Sequence, residues 1–206
     1  MAVSLDEAVE LTRTGDVWLF RGNTRADRTI RLTTNSPVNH VGMAVVIEDL
    51  PPLMWHAELG KALRDMWAGG HHRGVQLHDL RAAVTHWTTR YKQQAWLRQL
   101  DAPVDRAMED AVLRTIARLD GTPFPSTARL LTRWLYGRAP IPRTKTSEAA
   151  LETAYCAEVV AVTYQAMGLL PARRRPNWYD PGRFWSGDEL PLQNGATLGQ
   201  EITIVT

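Results

Sequence analysis

One thiol and two imidazoles in this chain have the residue types and the settings that nucleophilic catalysis needs. Cys156 is the only cysteine in 206 residues, and the spacing of AYCAEVVAVTYQAMGLL, residues 154 to 170, predicts an apolar helix with that cysteine on its first turn. Unpaired N–H groups and the positive dipole end of a helix stabilise a thiolate there and lower the thiol pKa. Such a nucleophile needs a histidine to accept its proton, a third group to hold that histidine, and N–H donors for an oxyanion. His40 opens HVGMAVVI and His56 lies within LMWHAEL, two apolar runs that read as adjacent strands. A histidine on a strand that faces a helix start can reach a thiol, and a residue on the next strand can bond its other ring nitrogen. Either histidine alone reads first as a hydrogen-bonded core residue; the two with Cys156 make the sharper reading.

The elements that must position these groups follow from pattern. SLDEAVELTRT, residues 4 to 14, begins with Ser4 and has Glu7 three later, the arrangement of a capping box, and Gly15 ends the helix. DVWLF at 16 to 20 is β-prone, and the arginine-rich stretch after it predicts a short helix around 25 to 33. HVGMAVVI at 40 to 47 is apolar nearly throughout, as a central strand buried on both faces would be, and DLPP turns the chain into LMWHAEL at 53 to 59 as its antiparallel neighbour. GVQLHDL at 74 to 80 and QAWLRQL at 94 to 100 predict two more strands, and a meander is the simplest assembly. Met108, Ala111, Val112, Thr115, Ile116 and Leu119 fall at helical spacing and predict a helix lying on the sheet. TARLLTRWLYGR at 127 to 138 predicts another, with a basic face that reads first as solvated and second as a contact with a membrane surface. EITIV at 201 to 205 predicts a closing strand.

Composition bounds the function. A net charge of +2 is too small to imply nucleic-acid binding, and a lone cysteine excludes an internal disulfide framework and a cysteine-based zinc site. The N-terminus has acids early and no apolar h-region, and no run approaches 18 apolar residues, so the expectation is a cytoplasmic protein without a signal peptide or membrane span. The length suits a single domain over residues 1 to 206. The eight tryptophans read first as core packing and second as the lining of a groove. A metal site from His71, His72 and His78 is a weaker reading, because adjacent histidines in a glycine-rich loop lack a third ligand at helpful spacing; neither a metal nor another cofactor is expected.

Four stretches resemble one family: GDVWLFRG, SPVNHVGM around His40, LMWHAE followed by GVQLHDL, and YCAEVVAVTYQAMGLL around Cys156. They are similar to the circularly permuted papain-like cysteine enzymes of the NlpC superfamily, in particular the YiiX-like branch related to lecithin:retinol acyltransferase. The histidine precedes the cysteine here, as in the permuted group. The resemblance covers residues from about 15 to about 205 and is weakest between 103 and 147. It implies an α+β permuted papain-like fold, an antiparallel sheet packed on helices with the nucleophile at a helix N-terminus. It also implies Cys156 as nucleophile, His40 as base and His56 as the residue that orients His40. Many relatives carry glutamate at the third position, so Glu58, on the same face of its strand as His56, stands in reserve. The Cys156 N–H is the expected oxyanion donor, with the second donor unassigned.

The reaction so implied passes through a thioester. Water resolving it gives a hydrolase (peptidase, amidase or esterase), and a second acceptor gives an acyltransferase. The arginines and apolar residues of 127 to 138 favour a lipid or other acyl substrate, with a small molecule or peptide also open, and permit peripheral membrane contact. No nucleic acid is expected as partner, and the oligomeric state is not read. The competing readings are a non-catalytic binding module that keeps the fold and a cell-wall peptide amidase.

Overall fold

The computed structural model describes residues 1 to 22, 36 to 123, 148 to 188 and 190 to 206, with backbone alone for 148 to 154. The expected helices at 25 to 33 and 127 to 138 lie outside the described residues.

The architecture is mixed α+β, a large sheet covered by helices on both faces. β1 (Ala2–Ser4) runs straight into helix α1 (Leu5–Leu11), where Ser4 Oγ accepts from the Glu7 N–H and Glu7 Oε2 accepts from the Ser4 N–H at 2.9 Å, the reciprocal box expected. β2 (Val17–Arg21), β3 (His40–Val45), β4 (Leu53–Glu58) and β5 (Gly74–Asp79) form the antiparallel meander expected. β3 and β4 are buried at every position, as apolar runs without alternation require.

The meander stops at β5. Helix α2 (Leu80–Arg90), capped by Asp79, carries the chain back across the sheet, so β6 (Gln94–Arg98) pairs with β2 rather than with β5. β7 (Leu100–Asp101) pairs with β8 (Thr197–Leu198) in a small separate ladder. β9 (Ile202–Val205) joins β6 and also takes β1 as a parallel partner, giving the order β1-β9-β6-β2-β3-β4-β5. Helix α3 (Arg106–Leu119) starts at its Asp105 cap and buries Ala111, Val112, Thr115 and Ile116.

Helix α4 spans Glu148–Ala166 and packs on β3 and β4. This corrects the expectation for Cys156: the helix begins at residue 148, so the cysteine lies in about its third turn rather than its first. The reason lies in EAALETA ahead of the cysteine, a run of strong helix formers that extends the helix upstream.

Side chains alternate across the strands, and the two faces have different coverings. Val41, Met43 and Val45 with Trp55 and Leu77 face α3 and α4, where the Trp55 Nε1–H donates to Thr163 Oγ1 at 3.0 Å. Trp18, Phe20, Ala44 and Met54 face α1 and α2, meeting Leu80, Ala83, Val84 and Trp87. No helix among the described residues is long and apolar enough to cross a membrane.

Candidate functional site

Period-two alternation puts His40 on the face shared with Ala44, His56 on that of Met54, and Gln76 with His78 on the matching side of β5. Since His56 pairs with Gln76 and Met54 with His78 in the β4–β5 register, the imidazoles of His56 and His78 meet diagonally. The result is a row of three rings. His40 Nε2 lies 3.1 Å from His56 Nδ1, His56 Nε2 lies 3.0 Å from His78 Nδ1, and His78 Nε2 lies 3.0 Å from Gln76 Oε1. Trp87 of α2 covers the row edge-on, its ring centroid 5.0 Å from that of His40 and 4.8 Å from that of His56. Gly42 makes room for the close approach: a Cβ there would sit 2.4 Å from Met54 Sδ.

All three rings are buried, and burial decides their charge. It drives the pKa of His40 down to about 3, that of His78 to about 4 and that of His56 well below its ordinary value, with His78 adding to the effect on the other two. The row is therefore neutral at pH 7. Glu58 borders it. Its Oε1 accepts from the Trp87 Nε1–H at 3.2 Å, its Oε2 lies 3.8 Å from His78 Nδ1, and burial raises its pKa to about 7.

The structure brings His40 and His56 together as expected, and it is His56 rather than Glu58 that meets the His40 ring. Cys156 is not in this group. Cys156 is fully buried and belongs to the core cluster on the α4 face, which also holds Val41, Met43 and Trp55, while the His40 ring packs against Phe20 and Trp87 on the other face. In about the third turn of α4, the Cys156 N–H lies within the helix rather than among the unpaired N–H groups of its first turn.

His78, Gln76 and Trp87 were not anticipated in the site. The alternation of GVQLHDL held the signal for the first two, since residues 76 and 78 must share the face that β4 gives to His56. Trp87 required reading residues 80 to 90 as a helix. The three histidines of the weaker metal reading are not brought to one cluster: His71 bonds the Lys61 carbonyl, His72 bonds Asp65, and His78 belongs to the buried row.

Among the described residues two groups have the composition of a cation site, His56 with Glu58 and His78, and Asp65 with His72 and Asp120, each with ligand atoms within 4.8 Å of one another. In the first, the facing nitrogens already bond each other. In the second, Asp65 accepts from the N–H groups of Trp67, Ala68 and Leu77 and from His72, so its carboxylate organises the loop that follows β4. An open cleft of about 620 Å³ is lined by Arg13, Thr14, Val45, Glu48, Arg106 and Glu109, at the opposite end of β3 from His40.

No family model matches the chain, and no curated protein does. Among solved structures it is similar to the crystal structure of metalloprotein yiiX from Escherichia coli O157:H7, at 16% identity over 93% of this chain and 88% of that one, with a TM-score of 0.49. At that level nothing about chemistry follows from the match.

Proposed function

We propose that the chain is a permuted papain-like thiol enzyme that cleaves or transfers an acyl group at an amide or ester bond, with Cys156 as nucleophile, His40 as base and His56 as the residue that orients His40. The observation that carries the reading is the 3.1 Å bond from His40 Nε2 to His56 Nδ1, because it fixes one nitrogen of the first ring and leaves Nδ1 for the proton. In the reaction the Cys156 thiolate attacks the acyl carbonyl, His40 holds the thiol proton and returns it to the leaving group, and water or a second acceptor resolves the thioester. The reading requires His40 Nδ1 and the Cys156 thiol, which pack on different faces of the sheet in this structure, to come within reach of each other. A lipid or other acyl substrate remains the class favoured by residues 127 to 138, which lie outside the described residues.

The complete burial of Cys156 favours a second reading, a non-catalytic module in which the cysteine is a core residue. The rate of Cys156 alkylation against pH separates the two, together with labelling by acyl-type probes. An activated thiolate reacts well below the ordinary cysteine pKa of about 8.5 and loses that reactivity in His40→Ala. A thiol that reacts only on unfolding, or equally in wild type and His40→Ala, sinks the enzyme reading.

A further inference from the structure

The row of rings does not end where the proposed catalytic set ends. We propose that β5 supplies the working end of a directional proton relay: Gln76 fixes the tautomer of all three histidines so that His40 Nδ1 is the basic atom, and the charge comes to rest on His78, beside Glu58. This inference rests on the thiol reading for its use in turnover, although the relay itself stands on geometry alone.

The polarity follows from one amide. Gln76 Nε2 lies 3.4 Å from the Glu58 carbonyl and 3.5 Å from that of Gly74, two acceptors that only the NH2 end can serve, so Oε1 is the end turned to His78. An amide oxygen accepts and does not donate, hence His78 carries its proton on Nε2 and its Nδ1 is an acceptor. That acceptor faces His56 Nε2, which must be the donor, and His56 Nδ1 becomes an acceptor in turn. His40 Nε2 then donates to it, and the lone pair of His40 is left on Nδ1. Reversing any one bond would set two N–H groups or two lone pairs against each other within a buried row.

A proton arriving at His40 Nδ1 balances as follows. The Nε2 proton of His40 passes to His56 Nδ1, and the Nε2 proton of His56 passes to His78 Nδ1. His40 and His56 end neutral with their protons on Nδ1, and His78 ends as the imidazolium, 3.8 Å from Glu58 Oε2. This matters because burial makes a charge on His40 itself costly. The groups that set the field at His78 are Glu58 from β4, Asp65, His71 and His72 from the loop between β4 and β5, and His86 from α2. Two of these are carboxyls, so the far end of the row is where a positive charge is best accommodated.

The test uses the full chain labelled with 15N-histidine. Nitrogen shifts and the couplings across the two ring-to-ring bonds should place all three protons on Nε2 in the wild type, and Gln76→Leu should mix the tautomers and weaken the His56–His78 coupling. Where turnover is measurable, Gln76→Leu should lower kcat by about 10–100-fold at constant KM, the range of an orienting partner once removed. Gln76→Glu, which keeps the acceptor, should restore the ordered pattern and shift the acid limb of the pH–rate profile. A proton on His56 Nδ1 or His78 Nδ1 at rest, or an unchanged pattern in Gln76→Leu, overturns the relay. Turnover that survives Cys156→Ala overturns the thiol reading instead, and the nitrogen spectra still decide the relay.

Discussion

A histidine serves acid–base chemistry because its charge changes near neutral pH, and each of the three rings here has been moved away from that range by burial. What they retain is a directed lone pair, so their chemistry depends on neighbours more than on their own proton affinity. Glu58 is the neighbour that can be tuned. The Trp87 N–H bonded to its Oε1 favours the ionised form, while burial opposes it and wins, leaving the pKa at about 7. Trp87→Phe keeps most of the ring and removes that donor. The Glu58 carboxyl should therefore titrate above its wild-type value, seen in its side-chain 13C shift, and a fall would mean that the indole N–H does not act on this carboxyl.

At the scale of elements, the site depends on how closely β3 and β4 lie. Gly42 permits that approach, because a methyl group there would strike the Met54 sulfur and press on His56 Cβ at 3.4 Å. Gly42→Ala should lower stability by about 1–3 kcal/mol, the usual cost of overpacking, in a denaturant titration. A neutral result would show that Met54 swings aside freely. The same elements separate what was legible in the sequence from what was not. Continuous apolar runs located β3 and β4, and strict alternation located β5, because burial of one or both faces leaves a period that needs no other information. Helix α2 was missed because LRAAVTHWTTR mixes β-branched and aromatic residues with polar ones, and its stability comes from burying Leu80, Ala83, Val84 and Trp87 against the sheet. The pairing of β6 with β2, and of β1 with β9, joins segments distant in sequence, and no local pattern states such partners. Histidines 40 and 56 could be read as neighbours because a short turn joins their strands. The face on which the Cys156 thiol packs could not be read, since α4 is apolar nearly all round and its phase against the sheet is set by tertiary packing.

For the whole molecule, the buried titratable groups fix how stability depends on pH, and their contributions oppose each other. His40, His56 and His78 bind protons with their ordinary affinity only when the chain is unfolded, so between their lowered folded pKa values and about 6.5 the unfolded state holds more protons. Stability from them is complete above that window and is lost as the pH falls through it. Glu58, raised to about 7, and Asp16, raised to about 6, act the other way: the folded state holds the extra proton, and their contribution is complete below about 4 and fades as the pH rises. Each unmatched proton is worth about 1.4 kcal/mol per pH unit. From about pH 4.5 to 6 the two carboxyls offset most of what the three imidazoles contribute, and stability should climb gently. Below about pH 4.5 the carboxyl contribution fades, but His78 and then His40 begin to take their protons in the folded state too, so the slope should stay at about 2 kcal/mol per pH unit. Above about pH 7 neither set changes its protonation difference much, and the curve should level. Urea melts across this range measure the profile, and replacing His56 and His78 together with glutamine should flatten its acid side if the buried row is its source. An acid limb of unchanged steepness in that variant would place the proton uptake elsewhere in the fold.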